Sequence, residues 1–222
     1  MVMENETRQE IGMRKRITDY DRLRTRIPEV VREHVAGPRQ WLDTGCGSGG
    51  SVRLCVSTFP DTSFVLADPS PESIETAKTV VGGSERCSFM VSTTDGLELE
   101  DGRFDVIAAI LSHHYYRLRE EKLMALANCF RMLRSGGILV MVEHVIHDSD
   151  QDGYDREWVS YMRAQGLEEE SIREMFNRRN TVYFPITREE HIRLLEEAGF
   201  DSAEVIWDTC SDIGFCATKR MC

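Results

Sequence analysis

The sequence has no Cys-x-x-Cys pair: its 7 cysteines are scattered at 46, 55, 87, 129, 210, 216 and 222. An odd, dispersed set of thiols argues against a disulfide framework or a zinc site and implies reduced, mostly buried cysteines. Long apolar runs are also missing. The longest, such as Val106 to Leu111, span about six residues, against the roughly 20 that a membrane helix needs. Basic residues are in deficit: 27 Lys and Arg against 38 Asp and Glu leave a net charge of −11. That balance disfavours general nucleic-acid or anionic-membrane binding, whose affinity rests on neutralising phosphates. The opening Met1-Val2-Met3-Glu4-Asn5-Glu6 lacks the pattern of a secretory leader, so a cytoplasmic location is expected. What remains is ordinary globular chemistry, with 41% hydrophobic and 29% charged residues in 222. A chain of that size buries roughly 70% of its unfolded surface and needs no covalent or metal staple.

The hydrophobic pattern divides the chain into alternating strands and helices. Residues 1–37 read as a helical cap, with Pro28 opening a second helix or kinking the first. Strands are predicted at 40–43, 64–68, 88–91, 104–111 and 138–142. Helices are predicted at 51–58, from Pro71 with Ser70 as its cap, and at 120–133 up to Gly136-Gly137. The run from Val106 is continuously apolar, as in a strand covered on both faces. This alternation predicts a parallel sheet with helices on both faces. Residues 148–186 break the rhythm as an acidic helical insertion. A helix capped by Thr187 and two strands, 203–209 and 214–219, close the chain as an antiparallel hairpin. No repeat or second domain boundary is visible, so a single domain over 1–222 is expected.

The most informative stretch is Leu42-Asp43-Thr44-Gly45-Cys46-Gly47-Ser48-Gly49-Gly50. It follows a strand and opens a helix, where glycines permit a tight turn and the free helix N–H groups suit an anionic group. Asp68 ends the second strand, where an acid can accept both ribose hydroxyls of a nucleoside. Asp43, directly before the turn, would repel a pyrophosphate and suits a ligand bringing cationic groups. The spacing G-x-G-x-G is neither the dinucleotide nor the Walker pattern. S-adenosyl-L-methionine has a ribose, an ammonium, a carboxylate and no phosphate, and meets these demands. The competing readings are a tight turn without ligand and a nicotinamide-dependent oxidoreductase.

With these residues in view the chain resembles the class I S-adenosylmethionine-dependent methyltransferases. Asp43 to Gly49 matches that family's first motif, Asp68-Pro69-Ser70-Pro71 its second, Phe104-Asp105-Val106-Ile107 its fourth strand, and Leu133 to Leu139 its fifth. The resemblance implies a Rossmann-like α/β fold: a mostly parallel seven-stranded sheet with a C-terminal antiparallel hairpin, helices on both faces and a helical insertion over the active site. It implies cofactor contacts from Tyr20, Asp43, Thr44, Gly45, Cys46, Gly47, Gly49, Asp68, Pro69 and Leu111. Many relatives bind adenine through an Asp after the third strand. Counting back from Phe104 puts Thr93 or Thr94 there instead of Asp95. The stretch Thr187 to Lys219 is similar to tRNA wobble-uridine carboxymethyltransferases and to small-molecule relatives, but no arginine matches the carboxylate-binding one of the former.

In a doubly wound fold the ligand lies beyond the carboxyl ends of the strands. That brings Ser112-His113-His114-Tyr115-Tyr116 and Glu143-His144 to the methyl group. His113 or His114 is a candidate general base, and the competing role of each is packing or backbone bonding. Glu143 is a candidate contact for an acceptor amine or hydroxyl, or an anchor of the loop. Trp158, Tyr161, Met162, Phe176 and Tyr183 of the insertion are candidates for an acceptor wall or for plain helix packing. No metal site is expected. The function these residues imply is methyl transfer to a small-molecule acceptor. Transfer to tRNA and a non-catalytic cofactor-binding regulator are the alternatives, and a homodimer is compatible with the sequence.

Overall fold

In the computed structural model, residues 7–220 are described. Two helices, α1 (Arg8–Arg16) and α2 (Tyr20–His34), precede the sheet. Then follow β1 (Gln40–Thr44), α3 (Gly50–Thr58), β2 (Ser63–Asp68), α4 (Pro71–Val80), β3 (Cys87–Val91) and β4 (Phe104–Ile110). A single 3-10 turn, His113–Tyr115, leads to α5 (Arg119–Met132) and β5 (Leu133–His144). The insertion supplies α6 (Gln151–Ala164) and α7 (Glu169–Arg178), and the chain closes with α8 (Arg188–Glu197), β6 (Ser202–Asp208) and β7 (Asp212–Thr218).

The seven strands form one sheet in the order β3-β2-β1-β4-β5-β7-β6. β1 pairs in parallel with β2 and β4, whereas β7 runs antiparallel to both β5 and β6. Alternate residues of the buried strands face opposite ways, as the pleat requires. Trp41, Leu66, Val106 and Val140 pack with α2, α3 and α4 on one face. Leu42, Ala67, Ile107 and Met141 pack with α5 and α8 on the other. The two-sided covering read from the run at Val106 is thus the architecture found.

Three local expectations need correction. Pro28 neither starts nor breaks a helix: α2 runs through it. The break falls instead at residues 17–19, where Asp19 adopts a left-handed backbone with φ 51°. β5 starts at Leu133, before the two glycines, because Leu133 already pairs with Phe104 through an irregular register. The hairpin turn is shorter than the Cys210–Ile213 link, since Asp212 and Ile213 already pair within β7.

Candidate functional site

The strand order reverses between β1 and β4, and a crevice opens there at the carboxyl ends of the strands. The cavity measures about 480 Å³. Its floor is the Gly-rich turn. Gly45 and Cys46 donate their N–H groups to the Ala67 carbonyl at 2.7 and 3.0 Å, which folds the turn back over β2. Gly45 needs to be glycine: its φ is +71°, and a Cβ there would lie 2.3 Å from Cβ of Ser112. Gly49, with φ +79°, lets α3 approach α4 at Ala77. Asp68 faces the cavity at the end of β2, and its carboxylate accepts the N–H of Gly47 and of Ser70, both at 2.9 Å.

Asp43 lies beneath this floor rather than in the cavity wall. It is 3% exposed, and its carboxylate has no hydrogen-bond donor among the described residues. Burial, reinforced by the charge of Asp68, pushes its carboxyl up to about 7. A buried carboxylate without a protein donor beside a cavity fits a ligand carrying an ammonium or sulfonium. Thr44 is buried too, with Oγ1 2.6 Å from Oγ1 of Thr94. Of the residues read from sequence as cofactor contacts, Tyr20, Gly45, Cys46, Gly47, Asp68, Pro69, Thr93, Thr94 and Leu111 line the cavity. Asp43, Thr44 and Gly49 support it from behind. Asp95 points elsewhere and accepts the hydroxyl of Tyr116 at 2.7 Å.

At the end of β4 the chain turns sharply through Leu111, whose φ of 56° is unusual for a branched side chain. The turn that follows is pinned from below by Glu143. One carboxylate oxygen accepts the N–H of Ser112 and His113 at 3.3 and 2.8 Å. The other accepts the N–H and Nδ1 of His114 at 2.9 and 2.7 Å. Burial would raise the Glu143 carboxyl, but the His114 hydrogen bond, the adjacent imidazoles and the backbone N–H groups outweigh it and hold it at about 2. Glu143 is therefore an anchor, with its oxygens already engaged, and it does not line the cavity.

His113 is likewise withdrawn. It is buried behind the wall, its Nε2 lies 3.1 Å from Thr94 Oγ1, and burial pulls its pKa down to about 4. His114 is the candidate imidazole that does line the cavity. Burial lowers its pKa despite the carboxylate beside it. His144 lines the cavity as well, with Nδ1 2.7 Å from Oδ1 of Asp212.

Of the two roles open to the candidate wall residues of the insertion, helix packing is the one found, and none of the five lines the cavity. Trp158, Met162, Ile172 and Met175 form a separate apolar cluster. The insertion docks on α1, with Trp158 Nε1 donating to the Arg16 carbonyl at 2.6 Å and the Tyr161 hydroxyl donating to those of Arg14 and Ile17. The cavity is closed instead by α1, through Gln9, Glu10 and Met13. Gln9 Oε1 accepts the N–H of Ser48 at 3.1 Å. Glu10 is buried against Gly50 and pairs with Arg53 and Arg24 at 3.2 and 3.4 Å. Sequence reasoning missed these three residues. The available signal was the capping box of Thr7 and Glu10, which starts a helix at that point. Among the described residues no three His, Cys, Asp or Glu side chains are placed to hold a metal ion, the six described cysteines are free, and no helix is long and apolar enough to cross a membrane.

A doubly wound sheet whose switch-point crevice is floored by a Gly-rich turn and walled by the acid of the next strand defines a Rossmann-like nucleoside-binding protein. Comparison with known proteins narrows the class. A family profile described as "Methyltransferase domain" matches residues 42–141. A carboxy-S-adenosyl-L-methionine synthase of Hydrogenovibrio crunogenus is 22% identical over 213 residues, 93% of this chain and 84% of that protein. Ajmaline N-methyltransferase of Rauvolfia serpentina is 30% identical over 114 residues, 50% of this chain and 38% of that one. Among solved structures, an S-adenosylmethionine-dependent methyltransferase of Methanosarcina mazei superposes with a TM-score of 0.64 at 18% identity, covering 86% of this chain and 97% of the other. Residues 42–141 thus match a methyltransferase domain, and the chain has the fold of the S-adenosylmethionine-dependent methyltransferases, enzymes whose cofactor is S-adenosyl-L-methionine.

Proposed function

We propose that the protein transfers a methyl group to a small-molecule acceptor through a hydroxyl or amine that is deprotonated by His114. The cofactor, when bound, supplies an activated methyl group on a sulfonium. The protein then has to orient the acceptor, exclude water and take its proton. The observation that carries this reading is the pair His114–Glu143. The carboxylate takes the Nδ1 hydrogen, which leaves the Nε2 lone pair for the cavity. Asp68 is the expected ribose partner and Asp43 the expected neighbour of the methionine ammonium. Thr93 and Thr94 stand at the adenine end.

The relatives named as carboxy-S-adenosyl-L-methionine synthases favour a second reading, in which the acceptor or the donor carries a carboxylate. Among the described residues no Arg or Lys lines the cavity, which supports a neutral acceptor instead. Calorimetry with S-adenosylhomocysteine followed by a methylation screen of hydroxyl and amine acceptors tests the proposal. His114→Gln is expected to lower kcat about 10²- to 10⁴-fold while product binding stays unchanged. Full turnover in that variant would sink the assignment.

A further inference from the structure

Behind the cavity wall stand two imidazole–carboxylate pairs, not one. His114 is hydrogen-bonded to Glu143 at 2.7 Å, whereas Nδ1 of His144 lies 2.7 Å from Oδ1 of Asp212 as an ion-pair contact without hydrogen-bond geometry. Glu143 and Asp212 are both fully buried, on neighbouring strands β5 and β7. Both imidazoles line the cavity, and their ring centroids are 4.6 Å apart. Each Nδ1 lies within 2.7 Å of a carboxylate oxygen, and neither Nε2 has a hydrogen-bond partner among the described residues. His144 is further fixed by Tyr183 and Trp158, whose rings lie 5.2 and 5.5 Å from it. Such a doubled arrangement exceeds what removing one proton requires.

We propose that the acceptor is gripped by both imidazoles, His114 taking its proton and His144 donating a hydrogen bond to a second oxygen, so that the substrate carries a hydroxyl or amine next to a hydrogen-bond-accepting oxygen. This rests on the proposed transfer to a small molecule and names its substrate class. The division of labour follows from the charges around each ring. His144 faces the carboxylates of Asp212 from β7 and Glu143 from β5, the imidazole of His114 from the turn, the ring of Tyr183 from the segment before α8 and the indole of Trp158 on α6. Burial opposes the charging of His144, but Asp212 and Glu143 outweigh it and raise its pKa. His114 faces Glu143, His144 and the ammonium of Lys122 on α5, and burial keeps it neutral. His144 is therefore the donor and His114 the acceptor. During transfer the nucleophile's lone pair bonds to the methyl carbon, the carbon–sulfur pair returns to sulfur, and the nucleophile's proton passes to Nε2 of His114. His144 keeps its proton throughout.

The test is ¹⁵N NMR of the histidine rings in the full chain saturated with S-adenosylhomocysteine, between pH 5 and 9. His144 should titrate above free imidazole, and Asp212→Asn should lower its midpoint by about one unit without moving His114. His144 neutral at every pH, or a midpoint that ignores Asp212→Asn, would overturn the inference. Should Asp212→Asn fold poorly, the wild-type His144 titration and the probe comparison in His144→Leu decide the inference. Catechol and phenol, as matched probes, are titrated into the same complex. Catechol should bind about tenfold tighter, and His144→Leu should abolish the difference. Equal binding, or none, counts against the substrate class. Turnover lost in His114→Gln but intact in His144→Leu rejects only this inference. Failure of the wild type to bind S-adenosylhomocysteine rejects the reading beneath it.

Discussion

Asp43 is buried without a protein donor and holds its proton up to about pH 7. A cationic group brought alongside would favour its carboxylate, so ligand binding near neutrality should expel that proton. Calorimetry of S-adenosylhomocysteine binding at pH 6.5 in two buffers of different ionisation enthalpy should show release of up to about one proton. Asp43→Asn should remove the release. At this scale the sequence was readable where a residue acts through its neighbours in the chain. Asp68, the glycines and the placement of Thr93 and Thr94 all follow from spacing to a strand end. Glu143 was harder, because its three backbone donors come from a turn about 30 positions earlier. Asp212 was not readable as the partner of His144, because only the register of β7 on β5 sets them face to face.

Among the elements, α1 bears most directly on the cofactor. Glu10 holds it down through Arg24 and Arg53 while closing its own capping box on Thr7. Glu10→Gln leaves those cations beside a neutral amide. It should weaken S-adenosylhomocysteine binding by about 1–3 kcal/mol, read by calorimetry, with faster amide exchange over residues 8–13. Pro28 is a different case. It sits inside α2, where it cannot donate to the helix ladder. Pro28→Ala should stabilise the protein by about 1–3 kcal/mol in urea unfolding and leave cofactor binding unchanged. Propensity alone placed a boundary at Pro28. The burial of Leu23, Ile27, Val30 and Val31 along one stripe overrides it. The aromatic residues of the insertion illustrate the converse. Their helical spacing fits a pocket wall and a packing face equally, and only the three-dimensional placement against α1 decides.

For the whole molecule, the buried imidazoles set the response to acid. His113 and His191 are held neutral by burial, each with a pKa of about 4. Below pH 6.5 the unfolded chain takes up protons that the folded chain refuses, so stability falls as pH drops from 6.5 towards 4 and then levels for these two groups. The linkage is worth at most roughly 3 kcal/mol per histidine. Glu143, with its depressed pKa, adds a further loss between about pH 4.5 and 2. His144 runs the other way, since its raised pKa gives a contribution that disappears as pH rises through it. Urea midpoints between pH 7 and 4 should show the decline, and His191→Leu should flatten it by about one proton.

Thr94 gives the arrangement a direction. Its single hydroxyl touches both Thr44 and His113. The other nitrogen of His113 has no hydrogen-bond partner among the described residues, and a stranded lone pair costs less than a stranded N–H. The ring hydrogen therefore points to Thr94, and the hydroxyl of Thr94 in turn points to Thr44. Three strand ends are thus wired in series, from the turn that carries His114 back to the glycines. A methyl in place of either hydroxyl would cut that line and leave the two ends of the crevice to settle independently.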